Sequence, residues 1–278
     1  MKNKIPNIKN NTKKFENRLL ISTPTLGTVR MEWVNSRFGQ TIPCNFSLVD
    51  MHNFMSSYAP IGYQLVDAEN LAAKTVVEGD FEWFLSYEDD NLPPLDAFVK
   101  INEYMIKHDT PIVSGLYFTK SIPPEPILYR GQGTSYHAEW KLGDKVWVDG
   151  IPFGFTLIHS SIIKALWDES PEYIVNGTVT RRVFEAPSES YIDPVTGGWM
   201  NQAGTSDLAW SKRLKDDKIF EKAGWPEFQK KKYPLLVDTN IFVKHIDRNT
   251  GIQYPVGLPK AFLEGKITWR ESLIILTK

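Results

Sequence analysis

The chain predicts an α/β fold with a mostly parallel central sheet, helices packed on it, and smaller antiparallel strands to one side. Three observations predict it. Phe81–Tyr87 is a seven-residue aromatic and apolar run, too short for a lone helix, that reads as a buried strand and ends in Glu88-Asp89-Asp90 and Pro93-Pro94. Short apolar runs at Leu19–Ser22, Phe81–Tyr87 and Pro111–Phe118 alternate with helical periods, and a βαβαβα order implies parallel strands with right-handed crossovers. After Phe118 the pattern changes to short aromatic segments around Tyr129, Trp140 and Trp147 and then Phe153–Ile158, which suits smaller, partly antiparallel strands.

Residues 1–17 are rich in Lys and Asn and poor in apolar groups, so a loose polar tail is expected there. Leu19–Ser22 is the first strand; Pro24 stops it, and Thr23-Pro24-Thr25-Leu26-Gly27 forms its loop. Residues 45–58 read as a helix with Phe46, Val49, Phe54 and Met55 on one face, and Tyr63–Val66 as the second strand, with Asp67 at its end. Residues 68–78 form a helix leading into Phe81–Tyr87. Leu95–Lys107 is a helix carrying Phe98, Ile101 and Met105 at spacings of three and four. Ser160–Trp167 is helical, whereas 171–204 reads as a long connection: a lid, a binding loop or a disordered insertion. Thr205 or Ser206 caps a helix reaching about Asp217. Leu235–Val237 and Ile241–His245 are strand-like, Lys230–Lys232 reads as a solvated face, and a short helix near Lys260–Glu264 docks on the body or on a partner.

A chain of 278 residues can bury a substantial core in one large domain. Its 42% hydrophobic and 23% charged residues are ordinary for a globular protein, and a formal charge of −1 gives no pull toward nucleic acid. The single cysteine, Cys44, excludes an internal disulfide and suits a reducing, cytoplasmic setting. No apolar run is long enough to span a bilayer, and the polar N-terminus does not read as a signal peptide.

Acids at the end of a buried strand sit where open α/β sheets place ligands. Three like charges side by side are costly unless a cation joins them, and hard ions such as Mg²⁺ or Mn²⁺ take such oxygen ligands together with substrate phosphates. In extended chain Glu88 and Asp90 share one side and Asp89 faces the other. An isolated triplet of this kind reads as a solvated acidic turn; the surrounding motifs shift that reading.

Strand, acidic triplet and Asn-Leu-Pro-Pro resemble the Asp-X-Asp signature of GT-A-fold glycosyltransferases, especially the inverting, family-two-like enzymes. Arg18–Thr25 resembles their opening strand and nucleotide loop, and Asp67–Lys74 a helix start that often reads Ala-Arg-Asn. Pro111–Tyr117 resembles the strand after the Asp-X-Asp helix, and Gly150–Ile158 the Gly-rich acceptor-side strand. Thr205–Trp210 resembles the Glu-Asp motif with the catalytic base, and Phe242–Asp247 the late strand whose His completes the metal site. The segments follow the family's order across residues 18–247, with 248–278 as a C-terminal extension. Glu88 stands where the first Asp is usual, Glu69 where Arg is common, and Ser206 where Glu precedes the base.

The resemblance implies a nucleotide-binding α/β/α sandwich that moves a sugar from a UDP- or GDP-linked donor to an acceptor hydroxyl, with Mn²⁺ or Mg²⁺; the acceptor, a glycan among other candidates, is unspecified. Asp207 would be the base. Asp90, Glu88 and His245 would hold the metal, with Asp89 adding a ligand or hydrogen bond. Thr23, Pro24, Thr25, Asp67 and Asn70 would meet the nucleotide, along with Glu88 and Asp89. Gly154, Phe155 and Trp199 would lie on the acceptor side, with Trp140, Trp147 and Tyr191 as further stacking candidates. Each has a plainer reading: Asp207 as a helix-start acid, Asn70 as a helix cap, His245 as a packed strand residue, the tryptophans as core. Two other classes remain. A nucleotidyltransferase would share the carboxylate–metal chemistry, but Thr23–Arg30 holds one Gly and one basic residue rather than a Gly-rich basic loop. A non-catalytic nucleotide- or glycan-binding protein would keep the scaffold, and Glu69 and Ser206 favour it.

Overall fold

The computed structural model describes residues 17–42, 55–131 and 135–277. The chain runs through β1 (Leu19–Ser22), α1 (Met31–Phe38), β2 (Met55–Tyr58), α2 (Leu65–Glu78), β3 (Trp83–Tyr87), β4 (Asn91–Leu92), α3 (Ala97–Lys107) and β5 (Ile112–Leu116). A β-rich stretch follows, with β6 (Tyr129–Arg130), β7 (Ser135–Tyr136), β8 (Lys145–Val148) and β9 (Phe155–His159). Helix α4 (Ser160–Glu169) precedes two hairpins, β10 (Glu172–Val175) with β11 (Thr178–Arg181) and β12 (Ser188–Ile192) with β13 (Trp199–Ala203). Then come α5 (Ser206–Asp216), α6 (Ile219–Lys222), α7 (Pro226–Lys230), β14 (Leu235–Phe242), β15 (Lys244–Ile246), β16 (Gln253–Tyr254), α8 (Lys260–Leu263) and α9 (Trp269–Leu276).

The central sheet has seven strands in the order β2-β1-β3-β9-β5-β14-β8. Strands β2, β1, β3, β5 and β14 share one direction, while β9 and β8 are reversed. Alternation splits the core between the two faces of the sheet. Leu19, Ile21, Trp83, Leu85 and Tyr87 meet Trp33 of α1 and Phe98, Ile101 and Met105 of α3. Leu20, Phe84 and Ile158 meet Ala72 and Val76 of α2, Ile162 and Leu166 of α4, and Trp210 and Leu214 of α5. Helices on both faces of a mostly parallel sheet make the α/β/α sandwich of GT-A-like form that the sequence leads one to expect.

Several local readings change. The second strand is Met55–Tyr58, paired parallel with β1, and Tyr63–Val66 is the entry to α2 rather than a strand. Pro60 and Gly62, the latter at φ +77°, punctuate the chain after the strand, not before it. Of the helix expected at 45–58, residues 55–58 are this strand and the rest lies outside the described residues, as does nearly all of the expected N-terminal tail. The supposed long connection at 171–204 is two hairpins. Asn176 and Gly177 both take positive φ, the turn that an Asn-Gly pair favours and that matches strand twist. Ile241–His245 divides at Val243, where β14 ends beyond a register shift and β15 starts.

The C-terminal residues pack on the body. Phe262 and Trp269 are fully buried, and Trp269 stacks on Trp140 with ring centroids 6.2 Å apart. Helix α9 opens on a reciprocal cap in which Thr268 and Glu271 each hold the other's backbone N–H. No helix among the described residues is long and apolar enough to cross a membrane.

Candidate active site

Because β1 and β3 are parallel and adjacent, their C-terminal ends deliver Thr23–Gly27 and Glu88–Asp90 to one edge of the sheet. The first loop is tied to the neck after β2: the Thr23 amide donates to the Tyr58 carbonyl at 2.9 Å, and Gly62 donates to Thr25 at 2.8 Å. The acidic loop is held from three directions. The Trp33 indole donates to the Glu88 carbonyl at 2.9 Å, the Glu88 amide to the Gly154 carbonyl at 3.0 Å, and the Ile246 amide to the Asp90 carbonyl at 2.8 Å. Antiparallel pairing of β4 with β15 sets His245 opposite Asn91, one residue past the acids.

Asp90 is the most heavily partnered acid. Lys120 Nζ lies 2.7 Å from its Oδ2, Asn91 Nδ2 3.1 Å from Oδ1, His245 Nε2 3.5 Å and Arg248 Nε 3.8 Å from Oδ2. Burial works against its ionisation, but the polar contacts of His245 and Lys120 outweigh it and hold its carboxyl below the usual range. Asp89 pairs with Arg248, while its buried Oδ2 has no partner among the described residues. Glu88 is pushed up, first by burial and then by the negative charges of Asp90, Asp207 and Asp89.

His245 Nδ1 lies 3.0 Å from the Phe118 carbonyl, which can only accept, so Nδ1 donates there and Nε2 is the nitrogen turned toward Asp90. Anchoring the far nitrogen to a backbone carbonyl is how proteins commonly orient an imidazole that binds a metal through the other nitrogen. With Asp90 and Glu88, His245 makes a set of oxygen and nitrogen donors of the types Mn²⁺ or Mg²⁺ takes, although the ligand atoms of the three do not all lie within 4.8 Å of one another.

Two clefts meet over the acids. One, of about 380 Å³, is lined by Pro24, Thr25, Tyr63, Glu88, Asp90 and Arg248. The other, of about 390 Å³, is lined by Glu69, Glu88, Phe153, Ser206 and Asp207. Gln64, Leu65 and Glu88 belong to both. Asp207 sits in the first turn of α5, where the Leu208 amide donates to its Oδ1 at 2.8 Å, and burial raises its pKa. Glu69, on α2, is 5% exposed; Ser206 Oγ is 3.4 Å from its Oε1, and Oε2 has no partner among the described residues. Its pKa is raised well above the ordinary value by burial and by the charges of Glu88 and Asp207.

The structure thus gathers Pro24, Thr25, Glu88, Asp90 and Asp207 around adjoining clefts, with Thr23 and Asp89 buried just behind and His245 against Asp90. Other residues fall elsewhere. Asn70 lies inside helix α2, and its amide is used by the Phe184 backbone, donating at 2.9 Å and accepting at 2.8 Å, so it neither caps the helix nor faces a cleft. Asp67 accepts from Tyr173 at 2.9 Å. Phe155 is a core residue against Tyr87, and Trp140 is buried on Trp269. Gly154 permits a close approach: a Cβ there would come within 2.5 Å of Asn91 Nδ2 and the Tyr117 hydroxyl. Trp199 begins β13, and its side chain, like that of Tyr191, lies outside the described residues. Sequence reading missed Lys120, Tyr63 and Arg248 and left Glu69 without a place in the site. The one local hint, a basic residue just past the His245 strand, fell beyond the assumed end of the domain.

No family model matches the sequence, and no curated protein matches it. Among solved structures, A197 from STIV is similar over 83% of this chain and 87% of its own, at 14% identity and a TM-score of 0.48. S. aureus TarS 1–349 in complex with UDP is similar over 53% of this chain and 48% of its own, at 11% identity and a TM-score of 0.33.

Proposed function

We propose that this protein is a metal-dependent glycosyltransferase that moves a sugar from a UDP- or GDP-linked donor to an acceptor hydroxyl with inversion. The observation that carries the proposal is the pair of clefts sharing Glu88, with metal-suited acids and an oriented imidazole at one and the buried carboxyl of Asp207 at the other. In this reading the nucleotide enters between the Pro24–Thr25 loop and Tyr63, whose ring offers a face to the base. Arg248 lies where it would meet diphosphate oxygens. Asp90, Glu88 and His245 would hold Mn²⁺ or Mg²⁺, which supplies Lewis-acid stabilisation of the departing diphosphate. Asp207 takes the acceptor hydroxyl's proton as that oxygen bonds to the anomeric carbon and the carbon–phosphate-oxygen bond breaks. Burial raises its pKa above the ordinary aspartate value, which makes it a stronger base than a solvated aspartate.

Thermal shift with UDP, GDP, CMP and their sugars, with and without Mn²⁺, tests the reading, since a ligand that binds only the folded state raises its stability by mass action. A metal-dependent hit, followed by turnover that EDTA abolishes and Mn²⁺ restores, is the expected result. The ion pairs of Lys120 with Asp90 and of Arg248 with Asp89 favour a second reading, a nucleotide-binding protein that needs no metal. Nucleotide affinity indifferent to EDTA, with no turnover over a broad donor and acceptor panel, would establish that one instead.

A further inference from the structure

We propose a second metal site, formed by Glu82, His108 and His159 at the opposite edge of the sheet, that takes Zn²⁺ or a similar divalent transition ion and staples three elements together. One ligand atom from each of the three side chains lies within 4.8 Å of the other two. The topology brings them together. Glu82 immediately precedes β3, His159 ends β9 in register with Trp83, and His108 closes α3. Six residues of near-extended chain separate Glu82 from Glu88, about 20 Å, so this cluster is remote from the acidic clefts.

The donor chemistry is specific. Two imidazoles and one carboxylate are a recurring zinc set that leaves a fourth position for water or another oxygen. Asn17 supplies a candidate for that position. Its backbone N–H binds Glu82 Oε2, and its side-chain oxygen accepts from Trp83 Nε1 at 3.1 Å and lies 2.8 Å from His108 Nε2. His108 Nε2 is also 3.5 Å from Glu82 Oε1. His159 engages Ser161 through Nδ1, 2.8 Å from the hydroxyl and 3.3 Å from the amide. The Ser161 hydroxyl oxygen already accepts from Trp225 Nε1 at 3.0 Å. The Ser161 amide donates to Nδ1 as the cap of α4, so binding an ion at Nε2 would move the ring proton to Nδ1, where the Ser161 hydroxyl oxygen can accept it and fix the ring. The Trp83 ring packs edge-on to both histidines, limiting their motion. Side chains 38% and 35% exposed at His108 and Glu82 leave the ion a way in from solvent.

Two features make His108 the useful handle for a test. It is exposed, and it sits in the left-handed backbone region at φ +50°, which Asn also tolerates, so H108N removes the imidazole without straining the chain. Zn²⁺ alone is titrated into the full chain by calorimetry, in wild type and in a D90N/H245Q variant that lacks two of the three ligands proposed for the first cluster. One equivalent should bind the double variant saturably and raise Tm by about 5–10 °C at a hundredfold excess over Kd. Adding H108N or E82Q should weaken that binding at least tenfold and remove the visible absorption of a Co²⁺-substituted tetrahedral site. Should the double variant not fold, wild type against H108N gives the same readout, as the loss of one bound equivalent. Zn²⁺ binding unchanged by H108N, or no saturable binding where the cluster is intact, overturns the proposal and leaves these side chains as a hydrogen-bonded surface group.

Discussion

Asp207 and Glu69 share a cleft as buried carboxyls, yet their expected behaviour differs. Asp207 is held by the Leu208 amide and is the proposed base, so D207N should lower turnover by about 10²- to 10⁴-fold while leaving the UDP-induced thermal shift intact. Equal loss of nucleotide binding would remove it from the role of base. Glu69 has only a long contact from Ser206, and burial keeps it protonated in the fold beyond the pH at which it ionises in the unfolded chain. The native state therefore binds more protons, and stability falls as pH rises above the unfolded pKa of about 4.5, by about 1.4 kcal/mol per unit until the folded pKa is passed. E69Q should match wild type near pH 4 and exceed it at pH 8 in urea denaturation of the metal-free protein. At this scale the sequence named residues that stand in ordered motifs, including Asp90, Asp207 and His245. Lys120 and Arg248 escaped because they lie 30 and 159 residues from the carboxylates they pair with, and only folding joins them.

Helix α2 and the segment after the β10–β11 hairpin are joined by Asn70, whose amide replaces both halves of a backbone ladder for Phe184. N70A leaves a buried N–H and a buried C=O unpaired, and should cost about 2–4 kcal/mol and lower Tm by roughly 5–15 °C. Gly154 is the other sensitive position. A methyl there collides with Asn91 and Tyr117, behind the loop that carries Glu88, so G154A should weaken metal-dependent nucleotide binding more than it lowers Tm. Strands β1, β3 and β5 were legible because buried central strands are continuous apolar runs bounded by Pro and charge. The helix at 97–107 was legible from its period. Strand β2 was not: Met55-Ser-Ser-Tyr is a short, half-exposed edge strand with little apolar signal. The Asn176-Gly177 hairpin and the Thr268–Glu271 cap did carry local signatures, which the readings of 171–204 as a long connection and of 248–278 as an extension overlooked.

Across the whole molecule, the C-terminal helix bears on the candidate metal cluster. Trp269 packs edge-on to Phe118 at 5.1 Å, and the Phe118 carbonyl anchors His245 Nδ1. W269A should cost about 3–5 kcal/mol as a large core truncation. The milder W269F should leave metal-free UDP binding unchanged while lowering Mn²⁺ affinity. Equal Mn²⁺ affinity in wild type and W269F would show that the helix is packing alone. This link joins residues far apart in sequence, so no motif could announce it.

The reversed course of β9 has a consequence for how the two clefts are built. The loops leaving β1 and β3 border the first cleft, while the loop entering β9, with Phe153 and Gly154, reaches the same edge from the opposite direction and borders the second. The clefts share Gln64, Leu65 and Glu88, but the Pro24–Leu26 loop borders only the first and Phe153 only the second. On the proposed reading, a change at Phe153 should therefore alter the acceptor side more than the nucleotide side, which the Pro24–Thr25 loop borders.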